Sequence, residues 1–188
     1  FNPERQLFSI GFSVYDGRLD NSYYDILASA GRLASYIAIA LGKVSHEHWF
    51  KLGRSLTPTG NSRALLSWSA SMFEYLMPVL VMRSHPGTLL DETYEAVVRR
   101  QMNYAAGRGV PWGVSESAYN VRDLEGNYQY KAFGVPGLGL KRGLAEDLVI
   151  APYATLLAAP VSPKEVLANL ERMRAQGLSG RFGYFEAI

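Results

Sequence analysis

The longest charge-free stretch of this chain is broken by proline, and that feature excludes a membrane-spanning helix and leaves a fold built around its own core. The longest charge-free run, Leu148 to Pro163, contains Pro152 and Pro160 and falls short of the roughly 20 apolar residues of a membrane-spanning helix. No direct membrane insertion is expected. At 188 residues the chain can fill one domain with a substantial core. Its 48% hydrophobic and 19% charged content excludes intrinsic disorder. A formal net charge of +2 excludes bulk attraction to nucleic acid, so no nucleic-acid partner is expected. Cysteine is absent, which removes disulfides, thiol catalysis and thiolate metal sites together. Residues Phe1 to Gln6 lack the basic and apolar regions of a signal peptide, and the chain is expected to be excised from something larger.

Local patterns suggest which elements form. Phe8, Ile10, Phe12 and Val14 alternate with Ser9, Gly11 and Ser13 before Asp16-Gly17 supplies a turn, so a small hairpin is expected over 7–19. From Asn21-Ser22, read as an N-cap with Asp25 at N3, a helical stripe of Tyr23, Leu27, Ala30, Ala34, Ile37 and Leu41 predicts an inner helix over 22–41. Further inner helices are expected near 70–82, interrupted by Pro78, and near 148–158. Thr88 with Asp91 caps an outer helix near 88–107. Ser162-Pro163-Lys164-Glu165, with Gly177 beyond the end, marks another over 163–176. Gly109 to Gly143 has little periodicity and many Gly, Tyr and Asn residues, which suits a site carried on loops.

Candidate chemistry narrows quickly. His46 and His48 sit at i,i+2, read as a solvated helix start, and with His85 form no ligand spacing, so no metal is expected. Gly113 to Ser117 begins like a nucleophile elbow, but the closing Gly is missing and no His follows Ser115. Gly137, Gly139 and Gly143 beside Lys141-Arg142 lack phosphate-loop spacing and read as turn formers. Carboxylates among aromatics remain. Glu116 lies between Trp112 and Tyr119 with no basic residue nearer than Arg122, a setting that raises a carboxyl toward the range of a general acid; a helix-capping Glu is the alternative. Glu186 is similarly isolated beside Tyr184 and Phe185. Glu74, on the apolar segment Met72 to Leu76, must pair, for instance with an Arg, or face a cavity.

Four strings, Leu19 to Asp25, Met72 to Pro78, Gly113 to Asn120 and Phe133 to Leu144, resemble the glycoamylase-like region of bacterial cyclic β-1,2-glucan synthases, and the resemblance spans essentially the whole chain. Two positions depart from the pattern: Ala30 stands where a Glu is expected, and Ala70 where a Gly is expected. The resemblance implies an all-α fold, a partial (α/α)6 toroid with a small β-hairpin, related to endo-β-1,2-glucanases. Residues 1–188 would be one glycoamylase-like domain, an incomplete fragment within a multidomain chain. It implies a β-1,2-linked glucan substrate, the other domains of the parent synthase as partners, no cofactor, and a soluble placement at the cytoplasmic face of the inner membrane.

The implied chemistry closes linear glucan into a ring by retaining transglycosylation, which suits two carboxylates, here Glu116 and Glu186. Glucose rings would stack on one concave surface shared by Tyr24, Trp68, Trp112, Tyr119, Tyr128 and Tyr130, with Asp20, Glu74, Asn120 and Arg142 also contributing to substrate binding. The alternatives are an inverting β-1,2-glucan hydrolase and a non-catalytic glycan-binding or scaffolding module. Carboxyl separations of about 5 Å and about 6.5–9.5 Å distinguish the retaining from the inverting enzyme.

Overall fold

The computed structural model describes residues 1–187. It overturns the all-α expectation: among the described residues, six α-helices share the chain with ten short strands arranged as five two-stranded antiparallel ladders.

The N-terminal quarter departs furthest from its expected form. Strands β1 (Phe8–Ser9), β2 (Phe12–Ser13), β3 (Arg18–Leu19) and β4 (Tyr23–Tyr24) nest one ladder inside another, with Phe12 opposite Leu19 and Phe8 opposite Tyr24. Residues 18–24 are thus the return arm of the hairpin, and the Asn21-Ser22 helix start does not form. Ile26 then makes a parallel bridge to Gly53. Helix α1 (Arg32–Ala40) begins only after Gly31, and its buried residues are Arg32 and Ser35, while Tyr36, Ile37 and Leu41 are exposed. It is not the inner helix that its apolar stripe suggested.

Helix α2 (Glu47–Lys51) buries His48, which the sequence placed in a solvated helix start. Its ring contacts the Gln6 oxygen at 2.6 Å and Ser35 Oγ at 2.8 Å. The Thr-Pro-Thr-Gly-Asn segment belongs to a second hairpin, β5 (Leu56–Thr59) with β6 (Ser62–Leu65). Pro58 is tolerated there because each strand of a two-stranded ladder has a free edge.

Helix α3 (Met72–Leu76) is capped by Ser71 and gives way to a 3-10 turn over Met77–Leu80, where Pro78 ends the α-helical pattern. Helix α4 (Leu89–Ala106) starts at the Thr88 cap and buries Tyr94, Val97, Val98, Gln101, Tyr104 and Ala105 along one stripe. It packs across the β5–β6 hairpin and against α3. Strands β7 (Ser117–Arg122) and β8 (Tyr128–Lys131) form an exposed hairpin. Helix α5 (Pro152–Leu157) lies on α3, and α6 (Pro163–Ala175) lies on α5. Pro163 opens α6 as expected, but the Ser162 side chain makes no capping bond. A last short ladder pairs β9 (Ser179–Gly180) with β10 (Gly183–Tyr184). One core runs through these elements, built on Leu65, Met72, Tyr75, Val97, Val114, Leu138 and Met173.

Candidate active site

Residues Trp112 to Glu116 pass between the helices, and a side chain from a different helix holds every second residue. Asn169 on α6 accepts from the Trp112 amide at 3.1 Å and donates to the Trp112 oxygen at 2.8 Å. Gln101 on α4 treats Val114 the same way, at 2.9 and 2.8 Å. Both side-chain amides are buried, and each pairs with a main-chain N–H and C=O as the peptide of a neighbouring strand would, which satisfies buried backbone groups that have no full ladder. Gly113 adopts φ +131°, and a Cβ there would lie 2.9 Å from Thr155 Oγ1 and 3.2 Å from the Ala151 oxygen. Only glycine lets α5 approach this closely.

The third point of attachment carries Glu116 itself. Tyr153 on α5 donates to the Glu116 main-chain oxygen at 2.6 Å. A phenol has one proton, so in the 2.9 Å contact between Tyr153 and Ser115 the serine must be the donor. Ser115 Oγ in turn accepts from the Phe73 amide of α3 at 3.0 Å. The chain of bonds from Phe73 through Ser115 and Tyr153 to Glu116 therefore has a single proton arrangement and locks the backbone of Glu116 to α3 and α5. The Glu116 side chain is half-buried. Burial raises its pKa, the Glu74 charge raises it further, and a hydrogen bond with Tyr130 acts in the opposite direction.

Glu74 does not form the expected pair with an arginine through its carboxylate. Its Oε2 accepts from the Ser69 amide at 2.8 Å, while buried Arg32 donates to the Glu74 main-chain oxygen at 2.9 Å. Arg32 also donates to the Tyr75 oxygen, so it ties α1 to the carbonyls of α3. Glu186 is exposed and follows β10. It lies between two depressions: one of about 790 Å³ lined with Ala118, Tyr119, Asn120 and Tyr128, and one of about 280 Å³ lined with Tyr153, Leu156, Tyr184 and Phe185. Glu116 and Glu186 bear on the same two hydroxyls, those of Tyr130 and Tyr153, and with burial they push both phenols up.

Six of the residues singled out from sequence therefore gather here: Glu116, Glu186, Tyr119, Asn120, Tyr128 and Tyr130, with Glu74 beside Glu116. The remaining aromatics are distributed elsewhere. Trp112 is 6% exposed and belongs to the core. Tyr24 packs under Gly31, where a Cβ would lie 2.8 Å from its ring. Trp68 is partly exposed and its main-chain oxygen accepts from the Lys141 amide at 2.8 Å. Asp20 lines a separate groove of about 400 Å³ with Phe12, Asp16 and Arg18. Arg142 is exposed on the loop after Leu140. Sequence reasoning overlooked Gln101, Asn169 and Tyr153, whose one visible signal is a polar group on an apolar helical stripe.

Ala70, at the position expected to hold Gly, has φ +59°. Gly134 lies against it so closely that a Cβ there would be 1.8 Å from the Ser69 oxygen. The glycine-rich segment after Phe133 thus clasps the strand entering α3, and this close approach, more than turn formation, accounts for Gly134.

A half-buried carboxyl and an exposed one thus bear on the same two phenols near an aromatic groove, on a mixed scaffold of helices and short hairpins. Residues 23–188 match the Glycoamylase family, described as "Putative glucoamylase", and the chain belongs to that family. Over all 188 residues it is 54% identical to the cyclic beta-(1,2)-glucan synthase NdvB of Rhizobium meliloti (strain 1021), and it spans 7% of that protein's length. It also shares a fold with the endo-beta-1,2-glucanase from Chitinophaga pinensis, solved with sophorotriose and glucose. That match has a TM-score of 0.64 at 16% identity and covers 97% of this chain and 47% of the glucanase.

Proposed function

We propose that this chain acts on β-1,2-linked glucan as part of a larger synthase-type polypeptide, and that it closes linear glucan into a ring by retaining transglycosylation. The observation that carries the reading is Glu116: a carboxyl raised by burial and by Glu74, on a backbone locked to α3 and α5, two residues before Ala118, which lines the aromatic groove. A carboxyl whose pKa is raised keeps its proton to higher pH than an ordinary one and is the better placed to give it to a departing glycosidic oxygen. The two comparisons name a glucan synthase and a glucanase of the same linkage, which is why β-1,2-glucan is the substrate proposed.

In this reading Glu116 protonates the oxygen of the bond being broken while a Glu186 oxygen attacks the anomeric carbon, giving a covalent glucosyl ester and a free hydroxyl on the leaving segment. The non-reducing-end 2-hydroxyl of the same glucan then attacks the anomeric carbon of the glucosyl ester and gives its proton to Glu116; the bond from that carbon to Glu186 breaks, which releases the carboxylate and closes the ring. Water in place of that hydroxyl would give hydrolysis.

Incubation with linear β-1,2-glucan followed by mass spectrometry tests the proposal. Products lighter by one water than linear glucans of equal length support ring closure. Shorter linear products alone would indicate a hydrolase, and binding without any product a glycan-holding module.

A further inference from the structure

Helix α1 is turned inside out. Its polar residues Arg32 and Ser35 are each 1% exposed, whereas Tyr36, Ile37 and, just past its end, Leu41 are exposed. Buried hydrogen bonds fix this orientation. Arg32 donates to the main-chain oxygens of Ser29, Glu74 and Tyr75 and to the Tyr94 hydroxyl, and Ser35 Oγ lies 2.8 Å from His48 Nε2. Rotating the helix to bury its apolar stripe would leave these donors and acceptors without partners inside the protein, so the apolar face stays outward. Tyr36 carries that face into a groove of about 500 Å³, which it lines with Trp49 and Phe50 of α2, Met82, and Leu89 at the start of α4. Arg54, Arg83 and His85 also line the groove, and no Asp or Glu does among the described residues. An exposed apolar surface that spans three helices and carries charge at its rim marks an interaction site.

We infer that this face is an intramolecular interface: an amphipathic segment of the same polypeptide, outside these 188 residues, lays apolar side chains on Tyr36, Ile37 and Phe50 and sets Asp or Glu against Arg54 and Arg83. The inference rests on the reading of the chain as part of a larger polypeptide and uses nothing of the proposed reaction. Length favours this occupant. The glucanase that shares the fold is matched over 47% of its chain, and this chain spans 7% of the related synthase, so more than half of either relative lies outside the match. A second copy of this chain suits the face less, because an isologous contact would press the same cationic rim against itself. A membrane surface suits it less too, because the groove is concave and takes up a ridge of side chains, whereas a bilayer takes up an apolar face that projects.

Photo-crosslinking in the full-length polypeptide that carries this chain tests the inference without glucan. The photoreactive residue p-benzoylphenylalanine replaces Phe50 in one variant and Ile37 in a second, so that poor folding of one does not decide the result. Crosslinks to peptides of the same polypeptide outside these 188 residues are expected, with a yield that does not change on dilution. Crosslinks to this same segment of a second copy, at doubled mass and fading on dilution, overturn the inference, as do adducts to lipid or the lack of any adduct in both variants. A chemical readout runs beside this one: the segment has no cysteine of its own, so Ile37→Cys gives it a single thiol. Alkylation of that thiol is expected to be at least about 10-fold slower in the native than in the urea-unfolded polypeptide, since a covered thiol reacts only after local opening. Equal rates would overturn the inference. If the crosslinks form but linear β-1,2-glucan is left unchanged, the proposed reaction fails and the interface stands.

Discussion

Replacing Gln101 by Met tests whether side-chain amides, and not apolar contacts alone, hold the Glu116 segment in place. Gln101 is fully buried, and its two bonds to Val114, at 2.9 and 2.8 Å, are lost together in the variant. Met keeps the length and an apolar fit. The Val114 oxygen retains the Met72 amide at 3.3 Å, so the group left without a partner is the Val114 N–H, at a cost of about 1–3 kcal/mol. The second lost bond adds about 0.5–1.5 kcal/mol. The expected destabilisation is therefore about 2–4 kcal/mol, a large share of the roughly 5–15 kcal/mol that holds a domain folded. Equilibrium urea unfolding should show a lower midpoint at unchanged slope. A loss below about 1 kcal/mol would refute the reasoning, because a stranded buried N–H costs at least that much. Gln101→Glu adds a second reading: it keeps an acceptor for the amide but sets a charge against the Val114 oxygen. It should destabilise at neutral pH and recover on acidification, when the protonated carboxyl can donate again.

Two further outcomes follow from the same geometry. Ala70→Gly should stabilise by about 0.5–1 kcal/mol in thermal or urea unfolding, since a left-handed alanine costs roughly 1–2 kcal/mol and glycine entropy returns part of the gain; destabilisation would show that the Ala70 methyl contributes packing that outweighs the strain. Glu74→Gln should shift the alkaline limb of activity to lower pH, because removing that charge lowers the Glu116 pKa and the acid then loses its proton sooner. An unmoved limb would separate Glu74 from the chemistry.

The parts of the fold legible in the sequence were those written locally. Thr88 with Asp91 opens α4, and Pro163 and Gly177 bracket α6, because caps and helix breakers act within one turn. The inner β2–β3 hairpin around Asp16-Gly17 was legible; the outer β1–β4 ladder and the β5–β6 hairpin were not. Tyr23, Ile26 and Leu27 also fit a helical stripe, and only pairing with residues 8–13 and 53 decides between the two. Glu116 stands out in the sequence by its aromatic setting, but the groups that surround it in space, Glu74, Tyr130, Tyr153 and Glu186, come from distant parts of the chain. Trp112 could not be separated from the aromatics that line the groove, since a core tryptophan and a groove tryptophan carry the same local pattern. The clamps Gln101 and Asn169 act across 13 and 57 residues of chain, a separation that no local signal spans.

The most direct measurement of the central claim is product formation from linear β-1,2-glucan by the chain and by its Glu116→Gln variant, with glucan binding and thermal unfolding followed in parallel. The glutamine keeps the side-chain shape and the backbone bond from Tyr153 but cannot transfer a proton, a contribution of about 10² to 10⁴ in rate. The account predicts intact folding, near-normal glucan binding and product formation reduced by that factor. Near-normal product formation by the variant would contradict it and leave Glu116 a structural residue.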